Sequence, residues 1–295
     1  MSGLLDISGY IGMAVDRELD AREPAPWNLP IRHWSPSSLA MFQRCPRQWQ
    51  ERYLHGRKER PAEAPVIGIG LHHAAEMNFK QKIDSHEDIP LATLLDYYNS
   101  AFPVVVDQEQ EKAGEEVAWD TSAEKAQKRG ELMLAGYQNT VAPRIQPTDV
   151  ELNISVDLGL PVPVEGRFDV ERDETVIDIK SGKQAQRKPK EAWRIQAAVY
   201  GEARQRPVEF HSVSASPSRN TVTIITPLES EDMLVQPSPA QRASQSRTLR
   251  ALSDYACFLM ATVGPDDPWP TMGVFHSWAC EYCGFRGDCP AWRQA

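Results

Sequence analysis

Alternation of apolar and polar residues in the middle of the chain constrains the fold more than any other feature. Apolar and polar residues alternate over 150–158 and again over 162–171, and a third strand-like segment, Val-Ile-Asp-Ile-Lys, covers 176–180 after a turn at Asp173 and Glu174. This period of two is typical of half-buried β-strands. We therefore expect three strands here, the last two of which form a hairpin.

Helical patterns surround these strands. One such pattern follows the hairpin directly, over 189–205, and two further strands are predicted beyond it, over 208–215 and 221–226. Other helices are expected to begin at Ser35 and Thr121 and to cover 70–82, 91–102 and 240–263. Helices, then a strand-rich centre with one strand-to-helix crossover, then a helix predict an α/β or α+β fold with one main core.

The boundaries of the units follow from the same patterns. We interpret residues 1–34 as an N-terminal arm and residues 35–295 as a single domain, with a sheet core at 148–226. Residues 61–65, which carry two prolines, are interpreted as a linker.

Composition narrows the class of protein. The 295 residues are 41% hydrophobic and 25% charged, as in soluble globular proteins. No apolar run approaches the ~18 residues that a transmembrane helix needs. The first twenty residues lack a basic leader, so we expect no secretory signal and a cytoplasmic protein. A net charge of −9 argues against a globally basic nucleic-acid coat, but it permits a locally basic cleft.

The hairpin carries a candidate metal site. Asp178 and Lys180 share one face of their strand, and counting back from the turn places Asp169 close to opposite Asp178. Two neighbouring carboxylates are costly unless a divalent cation neutralises them, and a nearby lysine can polarise a water. The alternative is an ordinary solvated hairpin face with an Asp-x-Lys pair.

The next helix and its connection add polar candidates. Gln196 and Tyr200 lie four residues apart and so share a helix face, which either faces the metal pocket or marks an amphipathic boundary. Glu151, on the first strand, is a further candidate for the pocket. Basic residues crowd the connection and either bind phosphates or form a solvated loop: Lys183, Arg187, Lys188, Lys190 and Arg194.

Five cysteines are present, and three of them cluster in the tail as Cys280-x2-Cys283-x5-Cys289. The odd count argues against a disulfide framework, and tight cysteine clusters are typical of metal or redox sites. With Cys45 as a fourth ligand, the spacing alone leaves zinc and an iron–sulfur cluster equally open. Cys257, in the middle of an apolar helix, is expected to be buried and inert.

These motifs together resemble the RecB-type branch of the PD-(D/E)xK nucleases, as in CRISPR-associated RecB-like exonucleases and the AddB nuclease domain. The resemblance covers residues 34–290, most of the chain. Phe168 stands where the general superfamily motif has proline, although this branch commonly has an apolar residue there. The matching segments, in the family's order, are 35–49 with Cys45, 68–76 with His72, 165–169 ending at Asp169, 176–182 around Asp178 and Lys180, Gln196 with Tyr200, and 280–290 with the other three cysteines.

The resemblance implies a restriction-endonuclease-like α/β core, a central mixed sheet flanked by helices, and roles for individual residues. His72, Asp169, Asp178 and the backbone carbonyl of Ile179 would bind Mg²⁺ or Mn²⁺. Lys180 would orient the attacking water, and Gln196 and Tyr200 would hold DNA or support Lys180. His73 would point away into packing or solvent.

For the cysteines the resemblance implies a 4Fe-4S cluster bound by Cys45, Cys280, Cys283 and Cys289. Segments 35–60 and 264–295 would then form one helical iron–sulfur subdomain.

We therefore predict a metal-dependent DNA exonuclease that degrades single-stranded ends, with 5′→3′ polarity by family resemblance. Trp49 and Tyr53 are expected to stack on bases along the entrance, beside Arg44, Arg47 and Arg57. Expected partners are DNA and proteins of a recombination or CRISPR complex, with no membrane. The alternative is a non-catalytic nucleic-acid-binding or structural subunit stabilised by a cluster or by zinc.

Overall fold

The protein is described here as a computed structural model that covers residues 29–272, 277–289 and 291–292. Residues 1–28 of the expected N-terminal arm lie outside this description. The helices run α1 Pro36–Arg44, α2 Pro46–Trp49, α3 Glu63–Ser85, α4 Leu91–Ala113, α5 Ala123–Thr140, α6 Glu191–Arg204, α7 Pro239–Thr262 and α8 Ser277–Glu281. A π-helical turn, Gln50–Leu54, follows α2.

A mixed sheet forms the centre of the fold. Its strands are β1 Asp149–Val156, β2 Val164–Arg172, β3 Thr175–Ser181, β4 Val208–Ser216, β5 Thr221–Ile225 and β6 Leu234–Val235. The order is β1-β2-β3-β4-β5, and β6 pairs with β4. Among these six strands, β3 and β4 are the one parallel pair, because α6 carries the chain back between them. This confirms the α/β prediction of a central mixed sheet flanked by helices.

Hydrophobic cores cover both faces of the sheet. Helices α3, α4 and α5 pack on the face that carries Ile177 and Ile179. Helices α1, α6 and α7 pack on the face that carries Val176 and Phe210. Strand β3 is therefore buried on both sides, so that a polar residue in it lies inside the protein rather than on a solvated surface.

Two helix boundaries differ from the sequence prediction. Helix α3 begins at Glu63, so the segment 61–65 is not a linker for most of its length. Helix α4 continues through Pro103 to Ala113, well beyond the predicted end at residue 102. An interior proline costs a helix ~3 kcal/mol, but burial of Phe102 and Val105 on either side of it offsets that cost.

The segment after Cys45 packs against the tail. The Gln50 side chain donates to the carbonyls of Pro265 and Asp267 at 2.7 and 2.8 Å and accepts from the Trp269 amide at 2.9 Å. Trp49 is fully buried and stacks on Trp269 at a centroid distance of 5.6 Å. The expectation that Trp49 stacks on bases is therefore wrong, because its ring belongs to the core. Tyr53 stacks on Trp49 and stays 38% exposed.

No helix in the described residues is both long and apolar enough to cross a membrane.

Candidate active site and cysteine pocket

Strands β2 and β3 part at the point where the candidate site lies. Their pairing ends at Val170 and Ile177, and the same register places Asp169 opposite Asp178. Beyond that point the Asp169 side chain replaces the missing strand contact, because its Oδ2 accepts the Ile179 amide at 2.6 Å. The hairpin therefore holds the Asp169 carboxylate in place and leaves it partly buried.

Helix α3 brings a histidine to this carboxylate. His72 Nδ1 lies 2.9 Å from Asp169 Oδ1. The helix can approach the sheet because it carries Gly68 one turn earlier, where a Cβ atom would come within 2.9 Å of the Ser181 hydroxyl. The spacing Gly68-x3-His72 thus has a packing reason, since the glycine faces β3 and the histidine follows on the same helix face.

Asp178 is only 2% exposed and has a partner at each oxygen. Lys180 Nζ lies 2.5 Å from its Oδ1, and Gln196 Nε2 donates to its Oδ2 at 2.6 Å. Gln196 Nε2 also lies 2.7 Å from the Tyr200 hydroxyl, which donates to the carbonyl of Arg167 at 2.6 Å. Gln196 and Tyr200 on α6 therefore position Asp178, and Asp178 in turn holds Lys180.

Glu151 enters the same site from β1. Its carboxylate is 2.6 Å from Arg167 Nε, and its side chain is 7% exposed. A ligand atom of Glu151, one of His72 and one of Asp169 all lie within 4.8 Å of one another. Within the described part of the chain, no comparable group includes Asp178.

Burial and mutual repulsion shift the ionisation of these side chains. Burial, together with the Asp169 charge, raises the pKa of Asp178 to about 6, although Lys180 opposes the shift. Burial and Asp169 likewise raise the pKa of Glu151 to about 7. Burial would lower the pKa of His72, but the adjacent Asp169 outweighs it and raises that pKa to about 9. The same imidazolium keeps the pKa of Asp169 low despite its burial.

This donor set fits a divalent metal ion. Carboxylate oxygens and an imidazole nitrogen are the ligands that Mg²⁺ and Mn²⁺ accept, and three of them already converge. Burial is the larger cause of the raised pKa values of Glu151 and Asp178, and repulsion from Asp169 adds to it, so a bound cation would stabilise both carboxylates in their charged form.

The site lies in an open cleft of about 390 Å³. His73 lines this cleft beside His72. Arg167 is a further cleft residue that the sequence motifs do not single out, although it stands two positions before Asp169 on the same strand and face. The lining comprises Pro65, Gly68, Ile69, His72, His73, Glu151, Arg167, Asp169, Asp178, Lys180 and Gln196.

The basic residues of the β3–α6 connection do not line this cleft. Lys183 Nζ pairs with Asp120 at 2.8 Å. Arg187 donates to the Glu229 carbonyl at 2.5 Å, and Arg194 donates to the Pro189 carbonyl at 3.4 Å. Lys188 lies exposed on the same connection. Any contact with DNA from this group would therefore lie outside the cleft itself.

The four cysteines proposed as ligands line a second pocket. Cys45 caps α2, and Cys280, Cys283 and Cys289 come from α8 and the turns after it. Burial and the neighbouring Cys45 and Cys289 raise the pKa of Cys280, and burial with the Glu59 charge and the same two cysteines raises the pKa of Cys283 to about 11. Among the described residues, no three of these sulfurs lie within 4.8 Å of one another.

Side chains around this pocket tie its two segments together. Arg57 pairs with Asp288 at 2.8 Å and lies over the Phe285 ring at 5.1 Å. Arg47 and Arg57 also pair with the buried Glu51. These arginines therefore do not stand free at a DNA entrance. Cys257, as expected, is buried in the core, and burial raises the pKa of its thiol to about 11.

Two acids and a lysine on neighbouring strands of a mixed sheet, with a histidine from a helix packed on it, are typical of metal-dependent hydrolases. The sequence narrows the class further. The profile of the PD-(D/E)XK nuclease superfamily matches residues 33–290, and the chain belongs to this superfamily.

Two solved structures are similar. One is a protein of Eubacterium rectale provisionally named an exonuclease, with a TM-score of 0.49, 12% identity, and 89% of this chain and 88% of that chain covered. The other is SSO0001, with a TM-score of 0.34, 17% identity, and 74% and 96% covered. No curated protein matches the chain.

Proposed function

We propose that this nuclease is a Mg²⁺- or Mn²⁺-dependent deoxyribonuclease of the RecB type that degrades single-stranded DNA from an end. The observation that carries the proposal is the convergence of His72, Asp169, Asp178 and Lys180 in one open cleft. A degenerate binding protein has no use for a buried acid pair held this closely, because the charges cost folding energy.

The side chains have distinct roles in this proposal. His72 and Asp169 would hold the metal ion, with Asp178 and the Ile179 carbonyl completing the set that the resemblance implies. A bound Mg²⁺ or Mn²⁺ would polarise the phosphate and lower the pKa of a water. Lys180, held by Asp178, orients that water and stabilises the negative charge that develops on the phosphate. Gln196 and Tyr200 keep Asp178 and Lys180 in place.

The cysteine pocket is proposed to hold a 4Fe-4S cluster. A single tetrahedral zinc ion, with Zn–S bonds of ~2.3 Å, draws its four sulfurs close together. A four-iron cluster binds each sulfur to a different iron and therefore keeps them further apart. The four cysteines line one pocket, and the resemblance to the RecB-type branch is what favours the cluster over zinc. Its proposed work is structural, since it would join Cys45 to the tail beside the Gln50–Trp269 contact.

The acidic charge of the protein bears on its substrate preference. An acidic protein is poorly suited to wrapping long duplex DNA, which needs many phosphate contacts at once. We propose linear single strands as substrates, cleaved with 5′→3′ polarity, in recombination, repair or CRISPR-type processing in the cytoplasm. Protein partners of such a complex would deliver the strand.

The test is the release of nucleotides from end-labelled single-stranded DNA with Mg²⁺, with Mn²⁺ and with EDTA. Metal-dependent release is expected from the wild type. Lys180→Ala should abolish it, whereas Lys112→Ala, which removes an exposed lysine paired with Glu109, should not. Folded protein that releases nothing in either metal would refute cleavage and leave the binding-subunit alternative.

A further inference from the structure

Arg167 has the geometry of a residue that binds a substrate phosphate. It lines the candidate active-site cleft from β2, and its side chain is 57% exposed. Its Nε atom is held 2.6 Å from the Glu151 carboxylate. Its two terminal nitrogens have no hydrogen-bond partner among the described residues. The guanidinium is therefore fixed at one edge and available at the other.

The anchor of this arginine is itself held in a strained conformation. Glu151 has φ +54°, an unusual value for a non-glycine residue in a strand. The residues on either side of it, Val150 and Leu152, pack into opposite cores, and their partners Val170 and Phe168 do the same. At Glu151 the usual alternation is therefore broken, and the side chains of β1 and β2 change from one core to the other. Such strain costs ~1–3 kcal/mol and is characteristic of functional sites.

The charges of the cleft explain why an arginine is needed there. DNA phosphates must approach three carboxylates, those of Glu151, Asp169 and Asp178. Two permanently charged cations line the cleft among the described residues, Lys180 and Arg167. Lys180 is paired with Asp178, which leaves Arg167 to contact a phosphate. A guanidinium also matches a phosphate bidentately, in a way that an ammonium does not.

We propose that Arg167 binds a backbone phosphate of the DNA strand beside the cleaved bond, with Glu151 as its anchor. This inference rests on the proposed function and adds a substrate-binding residue to it. Because Glu151 already holds the guanidinium, little side-chain entropy is lost when the phosphate binds.

The test measures the affinity of a short fluorescent single strand in Ca²⁺, with strand integrity checked, over a range of salt concentrations. Arg167→Gln should weaken binding about tenfold, since it removes one charge-assisted contact. It should also reduce the slope of log K against log salt by about 0.7, the value for one phosphate on a single strand. Arg167→Lys should keep the wild-type slope, because the charge is retained. It should weaken binding about threefold, since an ammonium lacks the bidentate contact. Arg219→Gln is the matched control, because Arg219 is exposed at the β4–β5 turn, outside the cleft.

Mn²⁺ affinity, followed by electron paramagnetic resonance, separates phosphate binding from a structural role. It should be retained in Arg167→Gln. Loss of Mn²⁺ binding would overturn the proposal, because Arg167 would then only hold the site together. Affinity and slope equal to those of Arg219→Gln would also overturn it. A wild type that cleaves nothing but binds DNA through Arg167 would refute the proposed cleavage and leave this contact standing.

Discussion

Replacing Asp178 by asparagine should remove activity and stabilise the metal-free protein at the same time. The carboxyl is buried, and burial with the Asp169 charge raises its pKa to about 6, from an ordinary value near 3.8. Ionising it at pH 7 thus costs the folded state up to about 3 kcal/mol, at 1.36 kcal/mol per pKa unit. Asparagine has the same shape and no charge, so it avoids that cost.

The sign of the pH dependence follows from the raised pKa. Above about pH 6 the wild type carries the destabilising charge in the folded state, and the variant has its full advantage. As the pH falls through 6 towards 4, Asp178 binds a proton in the folded protein and the difference disappears. Cleavage, in contrast, should fall by at least ~10²-fold, the usual loss for a charged group that acts at the reacting centre.

Urea unfolding in EDTA at pH 7 and pH 4.5 measures the stability difference, and nucleotide release in Mn²⁺ measures the activity. Asp232→Asn, at an exposed position, is the control and should change neither. If Asp178→Asn destabilises the protein at pH 7, the ionised Asp178 carboxylate does not destabilise the folded state, and the explanation from burial and repulsion is refuted. If the variant retains cleavage, the site assignment fails instead.

Three further outcomes are expected. Anaerobically purified protein should be brown and contain iron, and Cys45→Ser should bleach it whereas Cys257→Ser should not; stoichiometric zinc without iron would contradict the cluster. Linear single-stranded DNA should be degraded much faster than a circle of the same sequence in either metal, and equal rates would show an endonuclease. Glu51→Gln should destabilise the protein by about 2 kcal/mol at pH 7, since it leaves Arg47 and Arg57 without their buried partner. Burial would raise the pKa of Glu51, but hydrogen bonds from His55 and Arg57 lower it overall. The stability that ionised Glu51 contributes is therefore present above about pH 4.5 and is lost as the pH falls further. A difference in unfolding free energy between variant and wild type that is unchanged at pH 3.5 would contradict this.

The sequence by itself determined the strands, the hairpin and the order of the motifs. A period of two and a tight turn are local properties, so they fix which residues share a face and which face one another across the hairpin. The register that places Asp169 opposite Asp178 follows from counting alone. The i, i+4 spacing of Gln196 and Tyr200 likewise predicts their shared face.

Only the tertiary structure decided which side chains meet across long separations. His72 reaches Asp169 because α3 packs closely on β3 at Gly68, and the two residues lie 97 positions apart. The residues around Trp49 in the sequence do not show whether its ring stacks on bases or packs in the core. Its burial depends on contact with Trp269, 220 positions away.

The same holds for the charged residues. A run of basic side chains shows positive charge in a sequence, but Arg187 and Lys183 are engaged by Glu229 and Asp120, from other parts of the chain. The sequence does not show that Arg167 lies in the cleft, because the position of its partner Glu151 depends on a positive φ that no residue pattern predicts. Periodicity is a property of neighbouring residues, whereas the active site forms by packing between elements that are distant in the chain.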